Sequence, residues 1–391
     1  MSRDFTSPRI SSTIPAPFRS GLTLIISLCA CAGVVLVAGC SPMSTFLSSG
    51  PEPRVLVNAA AETDPVPSVD DAADDPAIWI HRTETSRSLI LGTDKQAGLF
   101  VYGLDGKQRQ FLAQGRLNNV DIHHGTGFDI AVATNRTNIT IDVFRISSDG
   151  VVSFAGSFPA DMVDPYGITI TRSRTSGDLH VFACDKPGLV RQWKLEVGAT
   201  GAPRATLLRS FEVGSQSEGM IADETRGFVF IGEEGVGVWR YNSDPSDRSP
   251  NSTRVLVDAV RPRGTLVADV EGLAIYRRGT TEYLVASSQG DNSFRLYDLA
   301  PPHTLRGSFA VMPGSLGAVE DTDGLCITGV DLGGVYSQGL VVVQDGHNGP
   351  RAQNFKLVPW SQIARGLAAE PSSPSKGDRG RPDATAGVAG Q

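Results

Sequence analysis

Cysteine is scarce in this chain, and its scarcity excludes two classes of protein. Only five cysteines occur in 391 residues, and beyond position 40 only Cys184 and Cys326 remain. So few cysteines exclude a disulfide-rich scaffold, and their spacing fits no cysteine-ligated metal site. The sequence leaves open whether Cys184 and Cys326 form a disulfide.

Several signatures of catalysis and of nucleic-acid binding are also missing. The chain has no glycine-rich phosphate loop followed by Lys and Ser or Thr, and no Gly-x-Ser-x-Gly nucleophile elbow. The net charge is −7 and the basic residues form no stripe, so we expect no nucleic-acid partner. His123 and His124 are adjacent but lack a nearby nucleophile or third metal ligand, which indicates a loop feature.

Long amphipathic helices are absent before Trp360, and short strands take their place. Apolar and polar residues alternate over residues 99–102, 139–144, 228–231 and 293–297. Runs of this kind, bounded by Gly, Asp and Asn, are typical of β-strands joined by tight turns. The sequence therefore predicts an all-β protein.

The strands fall into six similar units. In each unit an apolar strand ends in a polar cluster, the chain turns, and a second apolar strand follows. This second strand carries a large apolar or aromatic residue, which we call the anchor of the unit. The anchors are Tyr102, Phe144, Trp193, Trp239, Tyr297 and Leu357-Val358. A repeat of about 50 residues suits a four-stranded blade, so we predict a six-bladed β-propeller with the anchors in its core. A pair of β-sandwiches is the alternative, which the near-regular spacing disfavours. We expect residues 54–60 to supply the strand that closes the ring.

The N-terminal end has the composition of an export signal. Three arginines precede an uncharged run from Gly21 to Ala38, which ends in small residues just before Cys40. This pattern predicts a lipoprotein-type signal peptide over residues 1–39, with an ordinary signal peptide or a retained membrane helix as alternatives. We therefore expect an exported protein, secreted or anchored to the cell envelope by a lipid on Cys40 as its one membrane contact.

The remaining boundaries follow from composition. Residues 40–54 read as a linker, residues 55–363 as the propeller domain, and residues 364–391, rich in Pro, Ser, Gly and Ala, as a disordered tail. The domain is long enough to bury a large core, and we expect a monomer.

Three basic residues occupy matching positions in the first three units. Lys95, Arg136 and Lys186 each follow a strand end, so a closed ring would place them along one face. Arg chelates phosphate oxygens and Lys acts as a point charge, so a basic arc suits a polyanion such as clustered phosphate groups. The alternative, three ordinary surface cations, is not excluded by spacing alone.

Acidic residues cluster near turns in several separate places. The clusters are residues 70–75, Glu218, residues 233–234, Asp269 with Glu271, Asp321 with Asp323, and Asp345. Each alone is explained by a turn or a solvated surface, but carboxylates on one rim would repel each other without cations between them. Oxygen ligands without His or Cys favour a hard cation, Ca²⁺ above Mg²⁺ or Mn²⁺.

Nine motifs occur in an order that matches one known family. They are residues 57–63, 71–79, 117–121, 217–220, 269–273, 286–290, 321–324, 343–346 and 353–360. On these motifs, from about residue 55 to 363, the chain resembles the β-propeller phytases.

The resemblance implies a six-bladed propeller that binds several Ca²⁺ ions and hydrolyses phytate, myo-inositol hexakisphosphate. It implies that phosphate is bound by Lys95, Arg136, Tyr166 and Lys186. It implies that the calcium-lined cleft contains Asp75, Glu218, Glu234, Asp269, Glu271, Gln289 and Asp323. It suggests structural-calcium ligands at Glu62, Asp121 and Asp345.

One segment departs from the family. The family often carries a further Asp shortly before the position of Asp321, but residues 314–320 contain only Glu320 as an acid. One bridging metal ligand is therefore missing or displaced.

We keep two other functions open: a non-catalytic surface propeller that binds a protein or glycan, and a calcium-dependent lactonase or esterase. The second would share the acids but not need the basic arc.

Overall fold

The computed structural model describes residues 55–369 apart from Thr126, and most of this part of the chain is β-strand. Two short strands come first, β1 (Val55–Val57) and β2 (Ala61–Glu62). Blade 1 contains β3 (Ala73–Trp79), β4 (Leu89–Asp94), β5 (Gly98–Gly103) and β6 (Gln108–Leu112). Blade 2 contains β7 (Leu117–His123), β8 (Asp129–Asn135), β9 (Thr140–Ile146) and β10 (Val152–Pro159). Blade 3 contains β11 (Pro165–Arg172), β12 (Leu179–Asp185), β13 (Leu189–Glu196) and β14 (Arg204–Glu212).

The second half of the chain builds the other three blades. Blade 4 contains β15 (Ser217–Asp223), β16 (Phe228–Glu233), β17 (Gly237–Asn242) and β18 (Val255–Ala259). Blade 5 contains β19 (Leu273–Arg278), β20 (Thr281–Ser288), β21 (Ser293–Asp298) and β22 (Leu305–Val311). Blade 6 contains β23 (Leu325–Thr328), β24 (Leu340–Asp345) and β25 (Asn354–Pro359). The α-helices of the described residues are α1 (Pro250–Thr253) and α2 (Trp360–Ala368).

The first strands of the six blades close into a ring. Strands β3, β7, β11, β15, β19 and β23 each contact the next in this order, and β23 returns to β3. Each blade continues outward from its first strand as an antiparallel sheet. The predicted six-bladed β-propeller is therefore confirmed, and the β-sandwich alternative is wrong.

The closing strand is not the segment that we expected. Strand β2 pairs antiparallel with β25, with Ala61 opposite Leu357 and Glu62 opposite Lys356, and so completes blade 6 as its fourth strand. Strand β1 instead adds to the outer edge of blade 5, where it pairs in parallel with β22. The prediction that residues 54–60 close the ring is wrong by a few residues, because the chain crosses from blade 5 to blade 6 between the two strands.

One face of the ring collects the ends of the second strands. We call it the upper face, defined as the face where β4, β8, β12, β16, β20 and β24 end; the opposite face is the lower face. Because each first strand is antiparallel to its second strand, the first strands begin at the upper face. Side chains from two strands of every blade therefore meet there.

The apolar core lies between the blades. The anchors Tyr102, Phe144, Trp193 and Tyr297 are buried on the third strands, whereas Trp239 is half-buried and donates from its indole nitrogen to Glu233 Oε2 at 2.7 Å. Cys184 and Cys326 are both free thiols, so the disulfide that the sequence left open is not formed.

Helix α2 joins the end of the domain to its beginning. Gln362 accepts from the Asn58 main chain and donates back to it, both at 3.1 Å, and Trp360 stacks on Tyr276 with ring centroids 3.7 Å apart. The helix runs to Ala368, past position 363, where the sequence placed the end of the domain. The predicted signal, Cys40, the linker and residues 370–391 lie outside the described residues. Neither α1 nor α2 is long and apolar enough to cross a membrane.

Candidate active site

The four predicted phosphate-binding residues meet at the upper face of blades 1–3. Lys95, Arg136 and Lys186 directly follow β4, β8 and β12, and Tyr166 is the second residue of β11. Lys186 Nζ lies 4.7 Å from the centroid of the Tyr166 ring, and the Arg136 guanidinium carbon lies 5.6 Å from it. Cations at this distance from an aromatic ring are attracted to its face, so the tyrosine helps to hold both.

Lys95 is surrounded by carboxylates. Its Nζ lies 2.6 Å from Asp71, 2.7 Å from Asp323 and 3.4 Å from Asp74. Burial favours the neutral amine, but the nearby acids outweigh burial and raise the pKa of Lys95 above its usual value. Lys95 is therefore a permanent cation at the boundary between the basic arc and the acids.

Three glutamates form the centre of the acidic region. Glu218 lies near the start of β15, Glu234 follows β16, and Glu271 precedes β19. Each is buried and offers a carboxylate oxygen, and these three oxygens lie within 4.8 Å of one another. We call these three residues the glutamate cluster. It joins the upper ends of blades 4 and 5 at the inner wall of the ring.

The electrostatics of the glutamate cluster are unfavourable for bare carboxylates. Burial raises the pKa of Glu271 to about 8, and it also raises the pKa values of Glu218 and Glu234. Repulsion from the neighbouring acids adds to the effect. Glu234 Oε1, Glu271 Oε2 and Asp74 Oδ2 are buried without a hydrogen-bond donor, whereas Asp74 Oδ1 has only the Lys95 ammonium, 3.4 Å away. Unpaired buried oxygens that repel one another fit a hard divalent cation, which would supply the missing positive charge.

Three further predicted residues extend the acidic region. Gln289 donates to Asp323 Oδ1 at 3.0 Å, so both lie beside Lys95. Burial raises the pKa of Asp323 to about 7, with the nearby Asp74 contributing. Asp269 is half-buried and lies close enough to raise the pKa values of Glu234 and Glu271.

Asp75 and Asp121 lie elsewhere. Both line the channel along the ring axis, a cavity of about 440 Å³. Asp75 Oδ2 accepts from the Val120 main chain at 3.1 Å, and Asp121 Oδ2 accepts from Thr169 and Ile170 at 2.7 and 2.9 Å. The carboxylate that faces Lys95 is that of the preceding residue, Asp74.

Glu62 and Asp345 are also apart from the cleft, at the closure of blade 6. The fully buried Lys356 places its Nζ 2.5 Å from Glu62, 3.2 Å from Asp345 and 3.0 Å from the side-chain oxygen of Asn348. Arg351 binds the other oxygen of Glu62 at 2.6 Å. Burial opposes ionisation of Glu62, but these two cations hold its pKa at about 2. An ammonium group already neutralises this pair, so the residues do not fit a calcium ion.

The segment before Asp321 provides no substitute ligand. Glu320 is exposed, and its main-chain N–H donates to Asp345 at 3.3 Å. Asp321 is also exposed and pairs with His347 at 3.0 Å.

Four polar residues at the site were missed by sequence reasoning. They are Asp71, Asp74, Asn118 and Asp164. Asp74 and Asp71 lie in the acidic run that predicted Asp75, and Asn118 lies within a matching motif, so a signal existed for these three. Asp164, which precedes Pro165-Tyr166, carried no signal, because its importance comes from the side chain that it contacts on another blade.

Several known proteins are similar to this chain. The phytase family model matches residues 23–376. The 3-phytase of Bacillus subtilis (strain 168) is 37% identical over 339 residues, which cover 82% of this chain and 87% of that protein. Regucalcin, a calcium-binding protein from Agrobacterium tumefaciens strain C58, superposes with a TM-score of 0.49 at 12% identity, over 78% of this chain and 96% of its own. The WD40 propeller domain of Doa1 gives a TM-score of 0.43 at 10% identity, over 78% and 97% of the two chains. The last two likenesses are too distant to support an argument about function.

Proposed function

This chain belongs to the phytase family, and from that premise we propose that it releases phosphate from phytate in a calcium-dependent hydrolysis. The observation that carries the proposal is the meeting of two groups on the upper face. One is the basic arc of Lys95, Arg136 and Lys186, and the other is the buried glutamate cluster with its unpaired oxygens. A densely phosphorylated small molecule is the kind of substrate that needs both.

We propose that the metal is Ca²⁺ and that the protein binds several of these ions. The residues that would hold it are the acids with oxygens facing the cleft: Asp74, Glu218, Glu234, Asp269, Glu271 and Asp323, with Gln289 beside them. These donors are all oxygens, which Ca²⁺ prefers. When bound, the metal would neutralise phosphate charge and lower the pKa of the water that attacks phosphorus.

The side chains of the arc would bind and orient the phosphoryl group. Lys95, Arg136 and Lys186 would stabilise negative charge on its non-bridging oxygens as the bond to the leaving alcohol breaks. Tyr166 would donate a hydrogen bond, because burial and the surrounding acids raise the pKa of its hydroxyl and keep it protonated. A neighbouring phosphate of the same inositol ring would add binding energy that fixes the reacting group.

The chemistry requires no covalent intermediate on the protein. The Cys184 thiol lies beside this region, with its sulfur 3.0 Å from the Ser217 carbonyl. Burial raises the pKa of this thiol to about 12, so it stays protonated and is a poor nucleophile. Water is therefore the nucleophile that best fits the site.

Phosphate release from phytate tests the proposal directly. The purified protein should release phosphate with Ca²⁺ present, lose the activity in excess chelator, and regain it when Ca²⁺ is restored. Turnover that persists in strong chelator would contradict the calcium requirement. A calcium-loaded protein that releases no phosphate would contradict the phosphatase function. Hydrolysis of lactones or aryl esters would then favour the esterase alternative, and inactivity on all three substrate types would favour a binding propeller.

For localisation we propose export, with a lipid on Cys40 tethering the propeller to the cell envelope. The support is the sequence of the first 40 residues: an arginine-containing leader, an apolar run and small residues before the cysteine. Labelling with a radioactive fatty acid should mark the wild-type protein in its native host, while a Cys40→Ser variant should stay unlabelled. An unlabelled wild type found wholly in the medium would contradict the anchor.

A further inference from the structure

Arg136 is held from two sides by groups that are not part of the basic arc. Its Nε and Nη2 donate to the two carboxylate oxygens of Asp164 at 2.8 and 2.7 Å, in a bidentate pair. Its Nη1 donates to the side-chain oxygen of Asn118 at 3.1 Å. A bidentate pair fixes the plane of the guanidinium as well as its position.

These contacts leave part of the guanidinium free to bind phosphate. An arginine side chain has five N–H donors, and three are used here, so two remain. Both remaining donors are on the terminal nitrogens, on a group whose orientation is already set. An arginine that is fixed before the substrate arrives loses less conformational entropy on binding than a mobile one.

Asn118 connects the arginine to the glutamate cluster. While its side-chain oxygen accepts from Arg136, its Nδ2 donates to Glu218 Oε1 at 2.8 Å. Asn118 is completely buried, so both contacts are shielded from bulk water. One amide therefore bridges a cation of the phosphate-binding arc and a carboxylate that would hold metal.

Asp164 also has a second contact with the arc. Its main-chain carbonyl accepts from the Lys186 main chain at 3.2 Å. Asp161, in the same loop, gives a useful contrast: it pairs with Arg191 at 3.3 Å, and its side chain is 68% exposed. The Asp164 side chain is 28% exposed and its partner Arg136 only 12%, so the loop contains one sheltered ion pair at the site and one on the surface.

We propose that Asp164 and Asn118 are positioning residues, which fix Arg136 and tie it to Glu218, so that the phosphate site and the metal site act as one unit. This inference rests on the proposed function. It leads to a reciprocal coupling: metal bound at the glutamate cluster should tighten phosphate binding at Arg136, and phosphate should tighten metal binding by the same factor.

The role of Asp164 is tested by combining Asp164→Asn with Arg136→Lys. Asp164→Asn keeps the shape and the main-chain contact to Lys186 but loses the bidentate pair. We expect kcat/KM for phytate to fall by about 10- to 100-fold, mainly in kcat, because a misplaced guanidinium stabilises the transition state less well. In the Arg136→Lys background, where no planar group remains to be oriented, Asp164→Asn should change the rate by less than about 3-fold.

The matched control is Asp161→Asn, which makes the same chemical change in the same loop and should leave the kinetics unchanged. An equal loss from Asp164→Asn in both backgrounds would overturn the positioning role, because a merely structural residue would act without regard to Arg136. A loss in Asp161→Asn as large as that in Asp164→Asn would overturn it too.

The coupling through Asn118 is tested by calorimetry on the full chain, with Ca²⁺ and inorganic phosphate as probes below the solubility limit of calcium phosphate. In the wild type, each probe should lower the Kd of the other. In Asn118→Leu, both Kd values should rise by about 10-fold, and the mutual effect should shrink to the part that comes from direct attraction between Ca²⁺ and phosphate. Asn118→Ser, too short to bridge both partners, repeats the test if the leucine variant does not fold.

The two levels of the proposal can fail separately. A weakening of only one probe, or coupling as strong in the Asn118 variant as in the wild type, would overturn the bridge even if the wild type hydrolyses phytate. A wild type that does not hydrolyse phytate would overturn the function, while the binding measurements would still decide whether the two sites are coupled.

Discussion

At the scale of single residues, neighbouring acids in this protein have different tasks. Glu233 accepts from Ser215 and from the Trp239 indole, both at 2.7 Å, so its two oxygens are satisfied within blade 4. Glu234, the next residue, is turned into the glutamate cluster and keeps one oxygen unpaired. Successive side chains of an extended chain point to opposite sides, so two adjacent acids divide into one structural and one functional residue.

This division predicts opposite effects of the same substitution. Glu234→Gln should lower phytate hydrolysis by at least about 100-fold, because it removes a charge that would hold metal. It should leave the unfolding temperature of the metal-free protein unchanged or raise it, because the repulsion within the cluster is relieved. Glu233→Gln should retain most of the activity but destabilise the fold by about 1–3 kcal/mol, because a buried acceptor is replaced by a group that also donates. Assay and thermal unfolding of the two variants test this; equal activity losses would contradict it.

Asp74 and Asp75 provide a second such pair. The sequence favoured Asp75 as the cleft ligand, whereas the structure places Asp74 beside Lys95 and Asp75 in the channel. We expect Asp74→Asn to lower kcat/KM for phytate at least about 10-fold more than Asp75→Asn, because only the first removes a charge from the cleft. Steady-state kinetics at saturating Ca²⁺ distinguish the two. A larger loss in Asp75→Asn would show that Asp75, and not Asp74, is the acid that acts in the cleft.

At the scale of elements, much of the site was predictable from where strands end. Lys95, Arg136, Lys186 and Glu234 directly follow the second strands of their blades, and alternation marks those strands clearly in the sequence. Once the ring is inferred, equivalent strand ends must meet on one face. The contacts of Asp164 and Asn118 could not be predicted in this way, because they depend on side-chain orientations between blades and not on any repeat.

The closure of blade 6 was the least predictable element. Strand β2 has only two residues, too few for a periodic pattern, and its pairing with β25 is supported by the ion pairs around Lys356. A family resemblance suggested calcium at Glu62 and Asp345, but the structure has a buried lysine between them. A pair of carboxylates can be neutralised by a calcium ion or by a lysine ammonium group, and sequence motifs do not distinguish these two cations.

The lysine at the closure should therefore be essential for stability. Lys356→Met should destabilise the protein by about 3–5 kcal/mol, because it leaves the buried Asp345 without a counter-charge. The control Lys107→Met removes an exposed lysine that pairs with Asp64 near the same strand, and it should unfold close to the wild-type temperature. Thermal unfolding in chelator and in Ca²⁺ measures both. A Lys356→Met variant that unfolds at the wild-type temperature in chelator would contradict the role of this lysine.

At the scale of the whole molecule, the acids of the upper face make metal-free stability depend on pH. Burial raises the folded-state pKa values of Glu271 and Asp323 to about 8 and 7, above their usual values of 4.5 and 3.8. Between about pH 4 and 8 these two acids therefore hold more protons in the folded protein than in the unfolded chain, and their contribution to stability falls as the pH rises. Ca²⁺ binds to the ionised acids, so bound Ca²⁺ should prevent this loss of stability at high pH.

The expected result is a calcium effect that grows with pH. Addition of Ca²⁺ should raise the unfolding temperature by at least about 3 °C more at pH 8 than at pH 5, because protons compete for the same oxygens at the lower pH. Calorimetric scans of metal-free and calcium-loaded protein at the two pH values measure this. An increase that is equal at both pH values, or larger at pH 5, would contradict the assignment of these acids to metal.

The contact between α2 and β1 brings the two ends of the propeller together, since the Cα of Gly366 faces the side chain of Val55. A short peptide could therefore join residue 369 to residue 55 without crossing the ring. New termini opened at the Gly279 turn, between β19 and β20 on the lower face, would then give a circular permutant with the same circle of blades. The ring of blades should therefore form whether the chain begins at residue 55 or at the Gly279 turn.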